Sequence, residues 1–188
     1  YYMPNANTYF ENKVASEGRW IIYIFFNVFT HVQGALLSIF ALSSFGYFVF
    51  TAAYKWAQNY YYALMISLFF MQIPSFYDST IWPAGITPAS LVLLLSIFLQ
   101  KRLNIFFYFI LFGILFFGTT GNYYYLLPLL YLSYLKKHDW KQNLKFVFIK
   151  LIPAWAFGFI SGYVVTQLII YINFGHFMTI DSWRVPHY

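Results

Sequence analysis

Long apolar runs separated by short polar turns are the feature that most constrains how this chain can fold. Residues 33–54 form a run long enough for an α-helix to cross a bilayer, which takes about 20 residues, and residues 146–172 form a second. Only 9% of the residues are charged, against about 25% in a typical soluble domain. We therefore expect lipid to surround much of this chain.

Four further apolar blocks lie between the two long runs. Three are shorter than a standard span, although flanking Tyr, Ser and Thr residues can extend a helix to the membrane interface. Residues 20–30 are too few to span and are typical of a helix on the membrane surface. The sequence predicts an all-α fold, a polytopic transmembrane bundle of about six crossings plus this short interfacial helix. The four blocks are residues 60–73, 87–99, 103–119 and 123–135.

Basic residues occupy every second gap between these blocks. Short loops rich in Lys and Arg stay in the cytoplasm, so these gaps are predicted to face inward: Lys55, Lys101, Arg102, Lys136, Lys137, Lys141 and Lys145. The basic charge is interpreted as a topology signal, and no nucleic-acid partner is expected.

The orientation gives one transmembrane domain for residues 1–188. It divides into an outer loop (1–19), the interfacial helix (20–30), transmembrane helices (33–172) and a second outer loop (173–188). The chain starts without Met and ends where a polar stretch opens, so we expect it to be part of a longer protein.

Four of the five acidic residues fall on the predicted outer side, namely Glu11, Glu17, Asp78 and Asp181, and only Asp139 falls inside. Two interpretations are open. The carboxylates can form a functional site. Alternatively, they lie on the outer side only because the inner loops are occupied by basic residues.

Residues 11–20 place two acids and two bases directly before the interfacial helix. The planar guanidinium of Arg19 suits a phosphate, and free N–H groups at a helix start favour an anion. The alternative is that Arg19 and Trp20 only anchor the helix at the interface.

Two outer turns carry groups suited to a sugar. Residues 74–83 surround Asp78 with Tyr77, Trp82 and hydroxyl side chains, and aromatic rings stack on sugar faces while carboxylates bind hydroxyls. Asp78 can equally cap a loop helix. Residues 118–122, which include Asn122, can line an outer cavity or form a plain tight turn. Gly158 and Gly162 predict close helix packing.

Several classes of chemistry lack the residues they require. The chain has no cysteine, which excludes disulfides, zinc–thiolate sites and iron–sulfur clusters. Metalloprotease, serine-hydrolase and phosphate-loop motifs are absent from the sequence. No acid falls inside an apolar run, which argues against an ion pump. We expect no cofactor, with a divalent cation left open.

Three pieces of sequence together resemble the bacterial glucosyl transferase II family, O-antigen-modifying membrane enzymes of the C-type glycosyltransferase superfamily. The pieces are Gly18-Arg19-Trp20, Phe76-Tyr77-Asp78 and Gly121-Asn122-Tyr123-Tyr124. The chain departs from the family at Asn5 and Asn7, where an acidic pair or a single Asp is usual, and in a missing Gln of the third outer turn. Glu11 can substitute for that acid, or this copy can be inactive.

The resemblance implies transfer of a hexose, glucose above all, from a polyprenyl-phosphate donor to a surface glycan acceptor. It places the enzyme in the bacterial inner (plasma) membrane with its active face outside. Glu11 or Glu17 would be the general base, and Arg19 would bind the donor phosphate. Tyr77, Asp78, Trp82 and Asn122 would bind the sugar.

Three other functions are compatible with the sequence. A surface-polysaccharide polymerase or ligase also joins lipid-linked glycans outside, but it usually has Arg-rich outer loops. A transporter needs polar groups along its crossings. A structural membrane subunit predicts no outward cavity.

Overall fold

The regular elements of the described chain are all helical. A computed structural model describes residues 18–29, 31–72, 83–135 and 139–178. The all-α prediction is confirmed for these residues. In chain order the elements are α1 (Trp20–Phe29), α2 (Gly34–Ala57), α3 (Tyr60–Met71), α4 (Pro83–Leu99), α5 (Ile105–Phe117), a 3₁₀-helix (Gly121–Tyr134), α6 (Trp140–Phe146), a π-helical turn (Val147–Leu151) and α7 (Ile152–Phe174).

Side-chain caps explain where several helices begin. The Asn59 side chain accepts hydrogen bonds from the backbone N–H groups of Tyr61 and Tyr62 at the start of α3. Asn104 caps α5 in the same way. These residues satisfy N–H groups that have no partner inside the helix. The polar residues between apolar runs therefore mark helix starts.

Two described helices are long and apolar enough to cross a membrane, judged by length and composition alone. One is α2, with 24 residues, and the other is the continuous run Trp140–Phe174, with 35 residues. The second begins earlier than the predicted run, so Lys141 and Lys145 lie on a helix and not in a loop. Asp139 explains the early start, because its side chain accepts the N–H of Gln142 and caps α6.

The segment predicted as the crossing 123–135 is a 3₁₀-helix of 14 residues, not an α-helix. Such helices rarely exceed three or four residues. Two tertiary hydrogen bonds hold this one. The Tyr124 hydroxyl donates to the carbonyl of Trp155 at 2.6 Å, and the Gln100 side-chain amide donates to the carbonyl of Leu130 at 2.6 Å. Contacts with other helices, not local preference, select this form.

Aromatic rings fill the centre of the described bundle. Helix α5 supplies four of the most deeply buried side chains, Tyr108, Phe109, Phe112 and Phe116. Tyr108 meets Tyr131 of the 3₁₀-helix edge to face, with ring centroids 5.5 Å apart. Edge-to-face pairs are a favourable geometry for aromatic rings, so α5 forms the central column of the bundle.

Glycines bring α5 and α7 into close contact, as predicted for Gly158 and Gly162. A Cβ added to Gly158 would overlap the carbonyl oxygen of Phe109, and one added to Gly162 would lie 2.5 Å from the carbonyl oxygen of Gly113. Neither backbone atom can move aside cheaply, so these positions require glycine. The small side chains allow the two backbones to touch.

Hydrogen bonds between helices define two ends of the bundle. At the first, the Lys55 ammonium donates to Gln100, and Gln100 donates to Leu130. We call this the cationic end, because Lys101 and Arg102 directly follow Gln100. At the second, the N–H of Ile21 donates to the carbonyl of Gly118 at 2.8 Å. We call this the Arg19 end.

Candidate functional site

The first turn of α1 lies directly on the end of α5. Besides the hydrogen bond from Ile21 to Gly118, a Cβ added to Gly118 would be 2.7 Å from side-chain atoms of both Trp20 and Ile21. Gly118 therefore allows the close approach. Two sequence motifs far apart in the chain, residues 18–20 and residues 118–122, meet at this joint.

The prediction that free N–H groups at the start of α1 would receive an anion is wrong for Trp20 and Ile21. The Trp20 N–H donates to the carbonyl of Gly18 at 2.9 Å, and the Ile21 N–H donates to Gly118. Donors that are already bonded have little left for a ligand. An anion bound at this end would therefore need side-chain donors, and the half-buried Arg19 side chain is one of them.

Gly18 packs the same segment against the end of α7. Its φ of +71° lies in the left-handed region, and an added Cβ would be 2.5 Å from the Thr166 side chain and 3.5 Å from the sulfur of Met178. Met178 is itself tied to α7, because its backbone N–H donates to the Gln167 side chain at 2.9 Å. The ends of α5 and α7 therefore fix residues 18–20 from two sides.

This packing predicts that substitution costs more stability at Gly18 than at Gly175, two glycines of nearly equal φ. Gly175 has a φ of +72°, but no atom of the described residues lies within 4 Å of an added Cβ. Both Gly18→Ala and Gly175→Ala incur the left-handed cost of about 1 kcal/mol. Only Gly18→Ala adds overpacking, which costs about 1–3 kcal/mol more. The free energy of unfolding in mixed micelles measures this difference, and equal losses in the two variants would contradict the packing.

Two buried polar atoms at this joint have no hydrogen-bond partner within the described residues. They are the indole N–H of Trp20 and the hydroxyl of Thr166. Buried polar groups are nearly always paired, so each of these two atoms can bond to a group that the described residues do not supply. Each can donate one hydrogen bond to an oxygen atom.

The turn at 118–122 is partly explained by local structure. The Thr119 hydroxyl is buried and donates to the carbonyl of Leu115 at 3.1 Å, so it does not line a cavity. Asn122 lies exposed in the first turn of the 3₁₀-helix. The Asn122 side chain, which the sequence suggested as a sugar ligand, is therefore available at the surface.

The predicted site residues divide into two groups. Arg19 and the turn that carries Asn122 lie at the same end of the bundle. The remaining five, Glu11, Glu17, Tyr77, Asp78 and Trp82, lie outside the described residues, so their positions stay predictions.

Sequence reasoning missed the contribution of α7 to this end. Thr166 and Gln167 are an adjacent polar pair within the apolar run of α7, and that pair was the available signal. Gln100, a buried amide at the end of α4, was likewise not singled out. A buried polar side chain in an apolar helix usually has a specific partner, and Gln100 has two.

Within the described ranges, no group of three His, Cys, Asp or Glu residues could hold a metal ion. Comparisons with protein families, with curated proteins and with solved structures give no significant match.

Proposed function

We propose that this chain is a membrane glycosyltransferase that moves a hexose, most simply glucose, from a polyprenyl phosphate to a surface glycan. One observation carries the proposal. The hydrogen bond from Ile21 to Gly118 joins residues 18–20 to the turn before Tyr123 and Tyr124, which are two of the three pieces on which the resemblance depends. The proposal places this joint on the non-cytoplasmic face of a bacterial inner membrane.

Exposed apolar side chains support the membrane placement. On the long run Trp140–Phe174, large side chains such as Phe157 and Ile160 are exposed, and Ile172 is 77% exposed. Large apolar surfaces of this kind are rare on proteins in water. In a membrane, lipid acyl chains would cover these apolar side chains without a partner protein.

The 3₁₀-helix form supports residues 121–134 as one of the proposed crossings. A 3₁₀-helix rises about 2 Å per residue, so the 14 residues Gly121–Tyr134 extend about 28 Å. The same residues in an α-helix would extend about 21 Å, well short of a hydrocarbon core of about 30 Å. The unusual helix form thus gives an otherwise short segment enough length to cross.

The proposed reaction is an inverting transfer. A carboxylate, Glu11 or Glu17, removes the proton of an acceptor hydroxyl, and the hydroxyl oxygen attacks the anomeric carbon of the sugar. The bond from that carbon to the phosphate oxygen breaks, and the phosphate leaves with the electron pair. Arg19 stabilises the charge that grows on this oxygen. Tyr77, Asp78, Trp82 and Asn122 orient the sugar.

Buried hydroxyl groups argue against a transporter. The Ser44, Ser90 and Ser96 side chains each donate to a carbonyl of their own helix, at 2.7, 3.0 and 2.6 Å. Hydroxyls bonded in this way satisfy themselves locally. These three side chains therefore do not provide a polar path for a transported solute.

The identity of the sugar donor tests the proposed function. The full chain, reconstituted in vesicles with a glycan acceptor, is given radiolabelled glucose on polyprenyl phosphate or on a nucleoside diphosphate. We expect label in the glycan only from the lipid-linked donor, and none in vesicles that lack the protein. Transfer from the nucleotide-linked donor alone, or from neither donor, would contradict the proposed function.

A further inference from the structure

Lys55 and Lys101 lie near each other at the cationic end of the bundle, and Arg102 directly follows Lys101. Lys55 lies in the last turn of α2, while Lys101 and Arg102 form the turn that follows α4 and are exposed. Lys101 is close enough to Lys55 for the two positive charges to repel each other. Two separate helices therefore bring like charges together, which costs free energy unless an anion lies near them.

A buried scaffold fixes the position of the first charge. The half-buried Lys55 donates through its ammonium group to the side-chain oxygen of Gln100. Gln100 is only 3% exposed, and its amide donates to the carbonyl of Leu130. Two successive hydrogen bonds therefore connect Lys55 to the 3₁₀-helix and restrict the position of its ammonium group.

The described chain supplies little negative charge to balance these groups. Its only carboxylate is Asp139, and that side chain caps α6 through the N–H of Gln142 at 3.0 Å. A carboxylate used as a cap is less available as a counter-ion. An external anion can supply the missing charge.

Exposed aromatic side chains lie close in sequence to Lys55, at the end of α2 and the start of α3. Trp56 is next to Lys55, and Tyr60 and Tyr61 begin α3 just beyond it, with Tyr61 78% exposed. Trp and Tyr are enriched at the depth of lipid headgroups. Farther along α3, Met65 and Phe69 are exposed and offer an apolar surface to acyl chains.

We propose that Lys55, Lys101 and Arg102 bind the phosphate of an anionic phospholipid in the leaflet opposite the Arg19 end. Cations at the end of a helix that is followed by exposed aromatic and apolar residues match a molecule with an anionic head and apolar tails, whereas a free phosphate ion would use only the cations. The proposal rests on the membrane placement within the proposed function but not on sugar transfer.

Lipid-dependent stability tests this site. The purified full chain in a neutral detergent is titrated with phosphatidylglycerol, phosphatidylcholine or inorganic phosphate while its thermal unfolding midpoint is measured. We expect phosphatidylglycerol alone to raise the midpoint, because a ligand that binds the folded state stabilises it. Equal shifts with phosphatidylcholine would overturn the site, and equal shifts with inorganic phosphate would overturn the lipid as its occupant.

A matched pair of double variants separates a specific site from general charge attraction. Lys101→Gln with Arg102→Gln should weaken phosphatidylglycerol binding about 25-fold, since each basic residue near the surface contributes about fivefold. Lys141→Gln with Lys145→Gln removes the same net charge on α6 and should change binding little. Equal losses in both pairs would overturn the proposal. If the first pair does not fold, the wild-type comparison of the two lipids decides it. Sugar transfer is not measured, so failure here leaves the proposed function standing.

Discussion

Arg19→Ala is expected to slow sugar transfer about 10²–10³-fold, the range observed when one donor to a developing oxyanion is removed. Gly18 packs against Thr166, and Ile21 is bonded to Gly118. Arg19 is therefore held between two fixed neighbours, which suits a group that must be in place before the phosphate leaves. Because its charge acts on the leaving oxygen, we expect kcat to fall more than KM rises.

Two further variants sharpen this measurement. Arg19→Lys keeps the charge but loses the planar fork that binds two phosphate oxygens at once, so its rate should fall between those of the wild type and Arg19→Ala. Lys141→Ala removes a basic residue of α6 and should leave transfer unchanged. If Arg19→Ala keeps its transfer rate and lowers only the stability in vesicles, then Arg19 is an interfacial anchor, the alternative that the sequence leaves open.

The α-helices could be predicted from sequence because their determinants are local. The start of α3 lies where the apolar run suggests, since Asn59 caps it, and the start of α5 is set by Asn104. Gly158 and Gly162 also carry a local signal, because small residues one turn apart let another backbone approach. These features need no knowledge of the rest of the chain.

The 3₁₀-helix could not be predicted in this way. Its sequence reads as another apolar helix, and the bonds that hold it come from Gln100 and from the carbonyl of Trp155, 31 residues beyond Tyr124. Helical preference differs by only fractions of a kcal/mol per residue. Two buried hydrogen bonds from distant residues can therefore override it.

The joint at the Arg19 end is non-local for the same reason. Nothing in residues 18–20 specifies contact with Gly118 or Thr166, although the resemblance had placed residues 18–20 and the turn near 121 in one site. The Ile21 to Gly118 bond brings them to one end, and it also uses the Ile21 N–H, one of the groups that the sequence suggested for an anion. The positions of Glu11 and Glu17 stay predictions.

Among Glu11→Gln and Glu17→Gln, we expect at least one to slow transfer about 10²–10⁴-fold, the usual contribution of general acid–base catalysis. Glutamine keeps the shape of glutamate but cannot accept the proton of the acceptor hydroxyl. Glu17 directly precedes Gly18, the residue that packs on α7, and Glu11 is the acidic residue that follows Asn5 and Asn7 most closely in the sequence.

Asp139→Asn is the matched control for these variants. It removes a carboxylate elsewhere in the chain, and asparagine caps a helix as well as aspartate does, so both stability and transfer should be kept.

The pH profile of the transfer rate separates a general base from a group that only binds the substrate. A carboxylate base must be ionised, so the wild-type rate should fall in acid, and the variant that lacks the base should lose this dependence along with the rate. If both glutamine variants transfer sugar at the wild-type rate, the assignment of Glu11 or Glu17 as the base is wrong.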